Sequence, residues 1–229
     1  MEDFVEADSP HRMAFPVAKA GYPLIGGAAF ATLILALLGL TAPALVGLVA
    51  TFCVAAFFRD PDRVIPNRPG QIVSPADGRV IVAEIVNGSP FFEEPVRKIS
   101  IFMSVFNVHV NRVPAEGRVY RIRYRPGKFV PADRRDASMR NEHNAVFVET
   151  AHGKRLCFVQ VAGLIARRII CHLQMDETVR RGQRFGMICF GSRLDVYLPQ
   201  DVTLAVAVGD KVTAGSTVLG SFPDLTVNS

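Results

Sequence analysis

The chain has 229 residues, enough for one domain of ordinary size or for a smaller domain with an appendage. Its formal net charge is +5, yet no charged residue and no histidine occurs in residues 22–58. Residues 1–21 carry four acidic residues against Arg12 and Lys19, so the remainder of the chain carries +7. A basic body beside an apolar segment suits an anionic membrane surface, and the uncharged stretch argues against nucleic acid as a partner.

The first 21 residues form a polar leader ahead of the apolar stretch. This leader has neither the basic start nor the small-residue cleavage site of a signal peptide, so no signal peptide is predicted.

Residues 22–58 contain two apolar pieces, residues 24–40 and 44–58, separated by Thr41-Ala42-Pro43. A helix needs about 20 residues to cross a bilayer core, so each piece is short for a span. Two short spanning helices, a hairpin that dips into one leaflet, one long tilted span and a buried helix pair of a soluble protein are the alternatives. Pro43 after Gly39 favours a bend, and the hairpin is therefore the prediction.

Three arginines, Arg59, Arg63 and Arg68, follow the second apolar piece closely. Positive charge beside a membrane segment favours the cytoplasmic face, and the intervening acidic residues count little in that rule. We expect a cell-membrane protein whose following domain lies on the cytoplasmic side.

From about residue 70 the chain consists of short alternating apolar runs separated by Gly, Pro and Asn. These runs are residues 79–86, 98–106, 118–124, 145–150, 156–162 and 165–173. Their spacing predicts that residues 59–229 form a mainly β domain, a sandwich or barrel. Residues 131–144, rich in charge and poor in apolar side chains, predict a long mobile loop.

A weak internal repeat lies within this region. Residues 178–182 and 211–215 share the pattern Val-x-x-Gly, each followed by an apolar-Gly pair. The pattern is similar to the hairpin turns of lipoyl and biotinyl carrier domains and predicts half-barrel repeats.

The four cysteines, Cys53, Cys157, Cys171 and Cys189, include no Cys-x-x-Cys pair. They indicate small apolar residues in a reducing compartment, neither a disulfide framework nor a metal site.

The segment FGSRLDVYLP, residues 190–199, places Gly191-Ser192 at the entrance of an alternating strand. Glycine permits backbone conformations closed to other residues and leaves its carbonyl open to close approach. A serine hydroxyl against that carbonyl can attack the peptide bond, form an ester and, by elimination, break the chain. A Gly-Ser pair is more often only a turn, so the other motifs of the chain decide whether self-cleavage is predicted.

Those motifs are FFRDPDRVIP (residues 57–66), VSPADGRV (73–80), IFMSVFNVHVNRVPAEG (101–117) and GLIARRI (163–169), with FGSRLDVYLP last. In this order they resemble the phosphatidylserine decarboxylase family in its short bacterial form, over most of the chain from about residue 20 onward. The resemblance implies a membrane-bound enzyme that converts phosphatidylserine to phosphatidylethanolamine and CO2. It also implies self-cleavage between Gly191 and Ser192 into chains of residues 1–191 and 192–229.

In that family the serine that corresponds to Ser192 becomes a pyruvoyl group, whose ketone serves as the electron sink for decarboxylation. The resemblance therefore implies a covalent pyruvoyl cofactor and no metal. Its partners are an anionic phospholipid substrate, the membrane, and the large and small chains from one proenzyme. The oligomeric state stays open, with a homo-oligomer among the alternatives.

The resemblance assigns Asp77 to the self-cleavage relay, although Pro-Ala-Asp-Gly is also a strong turn sequence. His109 is the candidate proton carrier at Ser192 or at the substrate carbanion, against the plain interpretation of a core histidine. Longer family members place a second histidine three residues later, where this chain has Arg112. Either His109 also acts as general base in self-cleavage, or Asp77 and a water suffice.

Arg121, Arg123 and Arg125 alternate along one strand face, which is either solvated or contacts phosphate. Arg167 and Arg168 are candidates for the same contact, and we predict substrate binding by Arg121, Arg123, Arg167 and Arg168. The remaining histidines receive no catalytic role: His11 and His143 are expected at the surface, His152 in a turn and His172 at a strand end.

Three alternatives to this function are open, one with the same chemistry and two from other classes of protein. The same chemistry could act on another serine-headed lipid, such as archaetidylserine, because the head group does not report its backbone. The Gly-spaced repeats also fit a non-catalytic, membrane-anchored lipoyl-like or biotinyl-like module, but no lysine has the context that such a carrier needs. A soluble pyruvoyl decarboxylase of a free amino acid is disfavoured by the uncharged 37 residues.

Overall fold

The computed structural model describes residues 16–128, 130–132, 137–163, 168–189 and 191–223. It divides into two units, one that ends at Asp62 and one that runs on from Arg63. Residues 1–15 of the predicted leader therefore lie outside the described residues.

The N-terminal unit is a pair of apolar helices. A short 3-10 turn, Lys19–Gly21, leads into α1 (Tyr22–Leu37), and α2 (Thr41–Phe57) follows after three residues. The bend lies at residues 38–40, where Gly39 has φ +72°, a conformation that glycine adopts at little cost. The expected break at Thr41-Ala42-Pro43 is wrong, because Pro43 lies in the first turn of α2, where its missing N–H breaks no helical hydrogen bond. The helical hairpin itself is confirmed.

The hairpin leaves its apolar side chains uncovered. Leu37 is 78% exposed and Val46 is 71% exposed, and α1 has no buried residue. Helices buried in a soluble core show the opposite pattern. Residues Lys19–Leu37, with mean hydropathy 1.7, are long and apolar enough to cross a membrane by length and composition.

The second unit is mainly β, as the run spacing predicts. Its strands are β1 (Gln71–Val73), β2 (Gly78–Val86), β3 (Val96–Met103), β4 (Val110–Arg112), β5 (Gly117–Arg125), β6 (His143–Glu149), β7 (Arg155–Val161), β8 (Ile169–Cys171), β9 (Thr178–Val179), β10 (Arg184–Ile188), β11 (Ser192–Pro199), β12 (Thr203–Leu204), β13 (Lys211–Val212) and β14 (Val218–Ser221). A four-residue helix, α3 (Ala137–Arg140), precedes β6.

Two of the predicted runs are longer than the strands that form. The run at residues 98–106 ends as β3 at Met103, because residues 104–107 turn: Asn107 Oδ1 accepts bonds from the Ser104 N–H and hydroxyl, both at 2.8 Å. The run at residues 165–173 is described only from residue 168, and its strand β8 ends at Cys171.

Among the described residues, eight strands form one curled half-barrel sheet in the order β13-β2-β3-β11-β7-β6-β5-β9. The order is nearly symmetric about its centre. A two-residue strand lies at each edge, β13 and β9, and each pairs with a nine-residue strand, β2 and β5. Both long strands contain a register shift near their third residue. β11 and β7 meet in the middle.

The predicted half-barrel repeat is confirmed in these edge strands. β9 and β13 are each followed by a tight turn whose glycine has a left-handed φ, +76° at Gly182 and +75° at Gly215. A side-chain carbon added at either glycine would meet the side chain of Ile65. The two edges of the sheet therefore converge on one isoleucine, which explains how the sheet curls.

A second part of the repeat lies in Pro-Ala-Asp-Gly at residues 75–78 and Pro-Ala-Glu-Gly at residues 114–117. The Arg112 N–H donates to the Pro75 carbonyl at 2.9 Å, and the Val73 N–H donates to the Pro114 carbonyl at 2.9 Å. These reciprocal bonds fasten the two halves at their equivalent turns. The sequence carries this signal openly, but our sequence analysis missed it.

Candidate active site

Ser192 is the first residue of β11, next to the middle of the large sheet. It pairs with Met103 of β3 on one side, and Arg193 pairs with Val161 of β7 on the other. Ser192 is 0% exposed, and its hydroxyl has no hydrogen-bond partner among the described residues. A buried hydroxyl without a partner is unusual in a folded protein and points to a role in chemistry.

Gly191 supplies the peptide bond before this serine. Its φ is +60°, in the left-handed region that favours glycine. Its carbonyl oxygen lies directly against Gly163, so close that any side-chain carbon at residue 163 would collide with it. Gly163 therefore leaves the room that this carbonyl occupies. The sequence analysis quoted Gly163 within a motif but gave it no role.

His109 lies in the linker between β3 and β4 and is fully buried. The strand before this linker ends opposite Ser192, and the strand after it begins opposite Met187, shortly before the Gly191-Ser192 junction. The linker that carries His109 therefore runs from the strand paired with Ser192 to the strand paired with the segment before the junction. The structure brings His109 and Ser192 into one region of the fold.

Asp77 immediately precedes β2, whose first residues lie level with Ser192 across the intervening strand β3. Both carboxylate oxygens have partners: Oδ2 accepts from Arg63 Nη2 at 2.8 Å, and Oδ1 accepts from the Ala214 N–H at 2.7 Å. Asp77 and Ser192 therefore share one end of the sheet, two strand spacings or about 10 Å apart. The carboxylate holds the turn after β13, so the turn role is present in the structure.

The counterpart of Asp77 in the repeat is Glu116, which also holds a repeated turn. Its carboxylate lies 3.3 Å from Arg181 Nε, in the turn after β9. Because the sheet is nearly symmetric, an acidic residue that fixes the following edge turn belongs to both halves. Only in the half with Asp77 does the long strand, β2, pair with β3, the strand that pairs with Ser192.

Arg112 takes the place where longer family members have a second histidine. It is buried, and its guanidinium Nη1 donates to the Gly182 carbonyl at 3.0 Å. Its aliphatic stem lies against Gly215. These contacts connect Arg112 to both repeated turns.

The candidate substrate arginines occupy different places. Arg121 and Arg123 are exposed on β5, three strands from β11 and level with Tyr197 and Asp195 on the face opposite to Ser192. Arg121 lies over the Phe147 ring, with its guanidinium carbon 5.8 Å from the centroid. The structure does not bring this pair to Ser192.

Of the candidate arginines that the structure describes, Arg168 is nearest to the junction. Its side chain is exposed, and its carbonyl accepts from the Cys189 N–H at 3.4 Å, two residues before Gly191. Arg167 lies outside the described residues.

A buried ion network on the other face of β11 is the largest feature that the sequence analysis missed. Arg193 and Asp195 are 1% and 0% exposed, and Arg193 Nε lies 2.8 Å from Asp195 Oδ1. Asp195 Oδ2 also accepts from the Ser138 hydroxyl at 2.7 Å and lies 3.5 Å from Lys98 Nζ. Alternation along a strand is usually read as one buried and one solvated face, so nothing in the sequence signalled that both faces are covered.

Burial disfavours the charged form of Asp195, but the Arg193 guanidinium, the Lys98 ammonium and the Ser138 hydroxyl outweigh it and hold the pKa of this carboxyl below its ordinary value. The folded pKa is depressed, so the ionised carboxylate stabilises the fold above its unfolded pKa, about 3.9. That stabilisation is lost only as the pH falls through the lower folded value. Asp195 is therefore charged throughout the physiological range.

A chain of buried amides connects the strands behind the junction. Asn144 Nδ2 donates to Gln160 Oε1 at 3.3 Å, and Gln160 Nε2 donates to Asn111 Oδ1 at 2.9 Å. Asn111 Nδ2 in turn lies 3.7 Å from the sulfur of Met103, the residue paired with Ser192. Satisfied buried networks of this kind fix a single arrangement of the strands that carry them.

The described part of residues 131–144 is more than the loop that composition predicts, while the mobility of the segment stays a prediction. It contains α3, and Asn141 is buried, donating to the Val130 and Ala162 carbonyls at 2.7 Å each. His143 is the first residue of β6 and is buried, not at the surface. Its Nδ1 lies 2.9 Å from the Asn141 carbonyl, and its ring packs edge-on against Phe91. Composition alone could not reveal these contacts.

The three cysteines of the β unit are thiols with raised pKa values. Burial raises the pKa of Cys157 well above the ordinary value, and it also raises those of Cys171 and Cys189. These thiols therefore stay protonated at neutral pH and are poor nucleophiles. Ser192 is left as the candidate nucleophile at the junction.

Comparison with known proteins places these features in a family. The family model described as phosphatidylserine decarboxylase matches residues 50–220. The phosphatidylserine decarboxylase proenzyme of Desulfotalea psychrophila is 51% identical over 207 residues, which cover 90% of this chain and 97% of that protein. The proenzymes of Geotalea uraniireducens and Ralstonia nicotianae are 51% and 49% identical, over 91% and 90% of this chain and 97% and 95% of their own lengths. The chain belongs to the phosphatidylserine decarboxylase family.

Proposed function

We propose that this protein decarboxylates phosphatidylserine to phosphatidylethanolamine, by means of a pyruvoyl group that it makes from Ser192 through self-cleavage. The observation that carries this proposal is the buried Ser192 hydroxyl beside Gly191, which has no hydrogen-bond partner among the described residues, in a chain about half identical to named proenzymes. The term proenzyme in those names supports maturation by cleavage.

The residues at the junction suit the formation of such a group. The left-handed φ of Gly191 and the space left by Gly163 together set the position of the Gly191 carbonyl. The Ser192 hydroxyl gives up no hydrogen bond to a described residue when it attacks. Ser192 itself is buried, which limits the access of bulk water to an ester on its oxygen.

The proposed self-cleavage has three steps. Ser192 Oγ adds to the Gly191 carbonyl carbon, the C–N bond breaks, and the hydroxyl proton passes to the released amine, leaving an ester. Loss of the Ser192 Cα proton then breaks the Cβ–Oγ bond, so that residue 191 leaves as a carboxylate and residue 192 becomes dehydroalanine. Dehydroalanine tautomerises to an imine, and water hydrolyses that imine to a pyruvoyl group and ammonia. The products are chains of residues 1–191 and 192–229.

Bound at residue 192, a pyruvoyl group supplies a ketone that takes up the electron pair left when CO2 departs. His109, on the linker between β3 and β4, is assigned to proton movement there, because an imidazole both accepts and donates protons near neutral pH. Asp77 is assigned to the self-cleavage relay across β3, in addition to its turn contacts.

Arg168 is assigned to the anionic phosphate of the substrate, since it is exposed and lies beside residue 189. Arg121, Arg123 and Arg167 stay predictions for the same contact. The exposed apolar hairpin of residues 22–58 is assigned to the membrane in which the lipid substrate resides. The arginines after it assign the β unit to the cytoplasmic side.

The decisive experiment is to measure the intact mass of the denatured protein, with Ser192→Ala beside wild type. Wild type should separate into fragments of 191 and 38 residues, the smaller one with a pyruvoyl N-terminus. Ser192→Ala lacks the attacking oxygen, so it should stay whole and release no CO2 from phosphatidylserine. A wild-type chain that stays whole yet is active, or a small fragment from Ser192→Ala, contradicts the proposal.

The role of His109 is separable in the same assays. Because it is assigned to the proton returned after decarboxylation, His109→Ala that has been cut should turn over about 10²–10⁴-fold more slowly. A cut His109→Ala enzyme with undiminished turnover would make this histidine a core residue.

A further inference from the structure

The strand that begins at Ser192 is held on its second face by charges. Arg193 and Asp195 point away from the main core, and their side chains form a fork: Arg193 Nε lies 2.8 Å and Nη2 lies 3.1 Å from the two Asp195 oxygens. Both residues lie after the Gly191-Ser192 junction, so a cut leaves them on the small chain.

Their other partners come from the chain before the junction. The Ser138 hydroxyl of α3 donates to Asp195 Oδ2 and also contacts Arg193 Nη2. Lys98 Nζ of β3 lies 3.5 Å from Asp195, and Arg193 Nη1 donates to the Ala132 carbonyl at 3.1 Å. Every one of these links would therefore join the small chain to the large chain.

The segment that Arg193 holds also borders the reactive bond. A side-chain carbon built at Gly163 would lie 3.4 Å from Ala132 Cβ and would collide with the Gly191 carbonyl oxygen. Ala132, whose carbonyl Arg193 binds, and the Gly191 carbonyl oxygen thus both lie beside Gly163. The ion network lies one residue from Ser192 along the chain, and through Ala132 it also borders Gly163.

Stability alone is a weak reason for such a network. Removing two charges from water costs free energy that a buried pair recovers only with good geometry and full hydrogen bonding, and apolar replacements of such pairs are often as stable. β11 is already held by backbone pairing to β3 and β7. A directional fork adds what backbone pairing lacks, a fixed orientation of the first residues of the strand.

We propose that Arg193 and Asp195 are positioning residues. Together with Ser138, Lys98 and the Ala132 carbonyl, they set the orientation of residue 192 for self-cleavage and then hold the new N-terminus of the small chain in place for decarboxylation. This inference rests on the proposed self-cleavage at Ser192.

The test follows self-cleavage of full-length proenzyme made by cell-free synthesis with lipid vesicles present, measured as the rate at which the 38-residue fragment appears. Asp195→Asn removes the charge, and Arg193→Lys keeps the charge but loses the fork. A misplacement of about 1 Å costs up to ~10²-fold in rate, so we expect cleavage about 10- to 100-fold slower in both variants. Once cut, both should show a lower kcat with an unchanged KM for phosphatidylserine, because orientation and not binding is impaired.

The matched control is Asp201→Asn. Asp201 also follows the junction in sequence, and it pairs at 2.5 Å with Lys154, which precedes the junction. This pair is partly exposed and lies beyond the far end of β11. This variant removes a link between the same two chains and should cleave and turn over like wild type.

Arg193→Lys with a normal melting temperature and normal cleavage overturns the inference, as does equal slowing in Asp201→Asn. If Asp195→Asn fails to fold, Arg193→Lys alone decides. Ser192→Ala distinguishes the two hypotheses. Cleavage of that variant would contradict the proposed function, whereas normal cleavage of the Arg193 and Asp195 variants would contradict only the positioning role.

Discussion

At the scale of single residues, the junction combines three unusual properties. Ser192 has a buried hydroxyl without a described partner, Gly191 has a left-handed backbone, and Gly163 has no side chain where any would collide. Each costs the fold some stability or some freedom of sequence. Their coincidence at one peptide bond is what distinguishes this Gly-Ser pair from an ordinary turn.

Gly163→Ala should slow self-cleavage about 10²-fold, because the added methyl must displace the Gly191 carbonyl from its attack geometry. The rate is measured by the appearance of the small fragment at a temperature where the variant is folded. The matched control is Gly117→Ala, whose methyl also collides with a backbone carbonyl, that of Glu149, but three strands away from β11. Equal slowing in both variants would show that loss of stability, and not the position of the carbonyl, is responsible.

At the scale of elements, the two Pro-Ala-acid-Gly turns, residues 75–78 and 114–117, place an acidic residue at the same position in two different surroundings. Asp77 and Glu116 occupy equivalent positions, and each carboxylate fixes the edge turn that follows a two-residue strand. A structural role is therefore common to both. The proposed role in self-cleavage belongs only to Asp77, because its strand β2 begins level with Ser192.

Asp77→Asn and Glu116→Gln together separate these roles. Each amide keeps an oxygen that can accept the turn contact, so both folds should survive with modest losses of melting temperature. If Asp77 serves the relay, Asp77→Asn should slow self-cleavage about 10²-fold or more while matured enzyme stays nearly active, and Glu116→Gln should cleave normally. Normal cleavage in Asp77→Asn would leave Asp77 as a turn residue alone.

At the scale of the whole molecule, the chain consists of an apolar helical hairpin and a β unit with its own core. The core cluster of the β unit runs from Ile72 to Phe222. The hairpin helices instead expose their leucines and valines. The packed interior therefore stabilises the β unit, whereas the exposed apolar side chains of the hairpin would be covered by the membrane proposed above.

Deletion of residues 1–58 should release a soluble β unit that is still folded and still cleaves itself, because the deletion keeps Arg63 and its bond to Asp77. The measurement is the distribution between membrane and soluble fractions after a high-salt wash, which removes proteins held only by charge. Full-length protein, the control, should stay in the membrane. Salt-resistant membrane binding of the truncated protein would place the main anchor in the β unit.

Local patterns predicted the fold class, the hairpin and the repeated turns, because period-two alternation and Val-x-x-Gly turns are encoded within a few residues. The position of Ser192 at a strand entrance followed from the same alternation. The burial of Arg193, Asp195 and His143 was not predictable in this way. It depends on the segment around α3, which is distant in sequence and looks like a loop by composition.

The role of Gly163 illustrates a second limit. A glycine that makes room for a distant carbonyl looks like any other glycine until both chain segments are placed. The bend of the hairpin shows the same limit locally: both Gly39 and Pro43 are turn-prone, and proline also fits the first turn of a helix.

If the proposed cut after Gly191 occurs, the position of β11 next to the centre of the sheet makes unfolding of the cut protein hard to reverse. The fragment after residue 191 supplies β11 and the edge strand β13 to the large sheet, and β12 and β14 to a second sheet with β1. A precursor that unfolds can refold as one chain, but a matured molecule that unfolds releases two, and their reunion depends on concentration. The lifetime of the mature enzyme is then set by how slowly it opens, not by how readily it can be rebuilt.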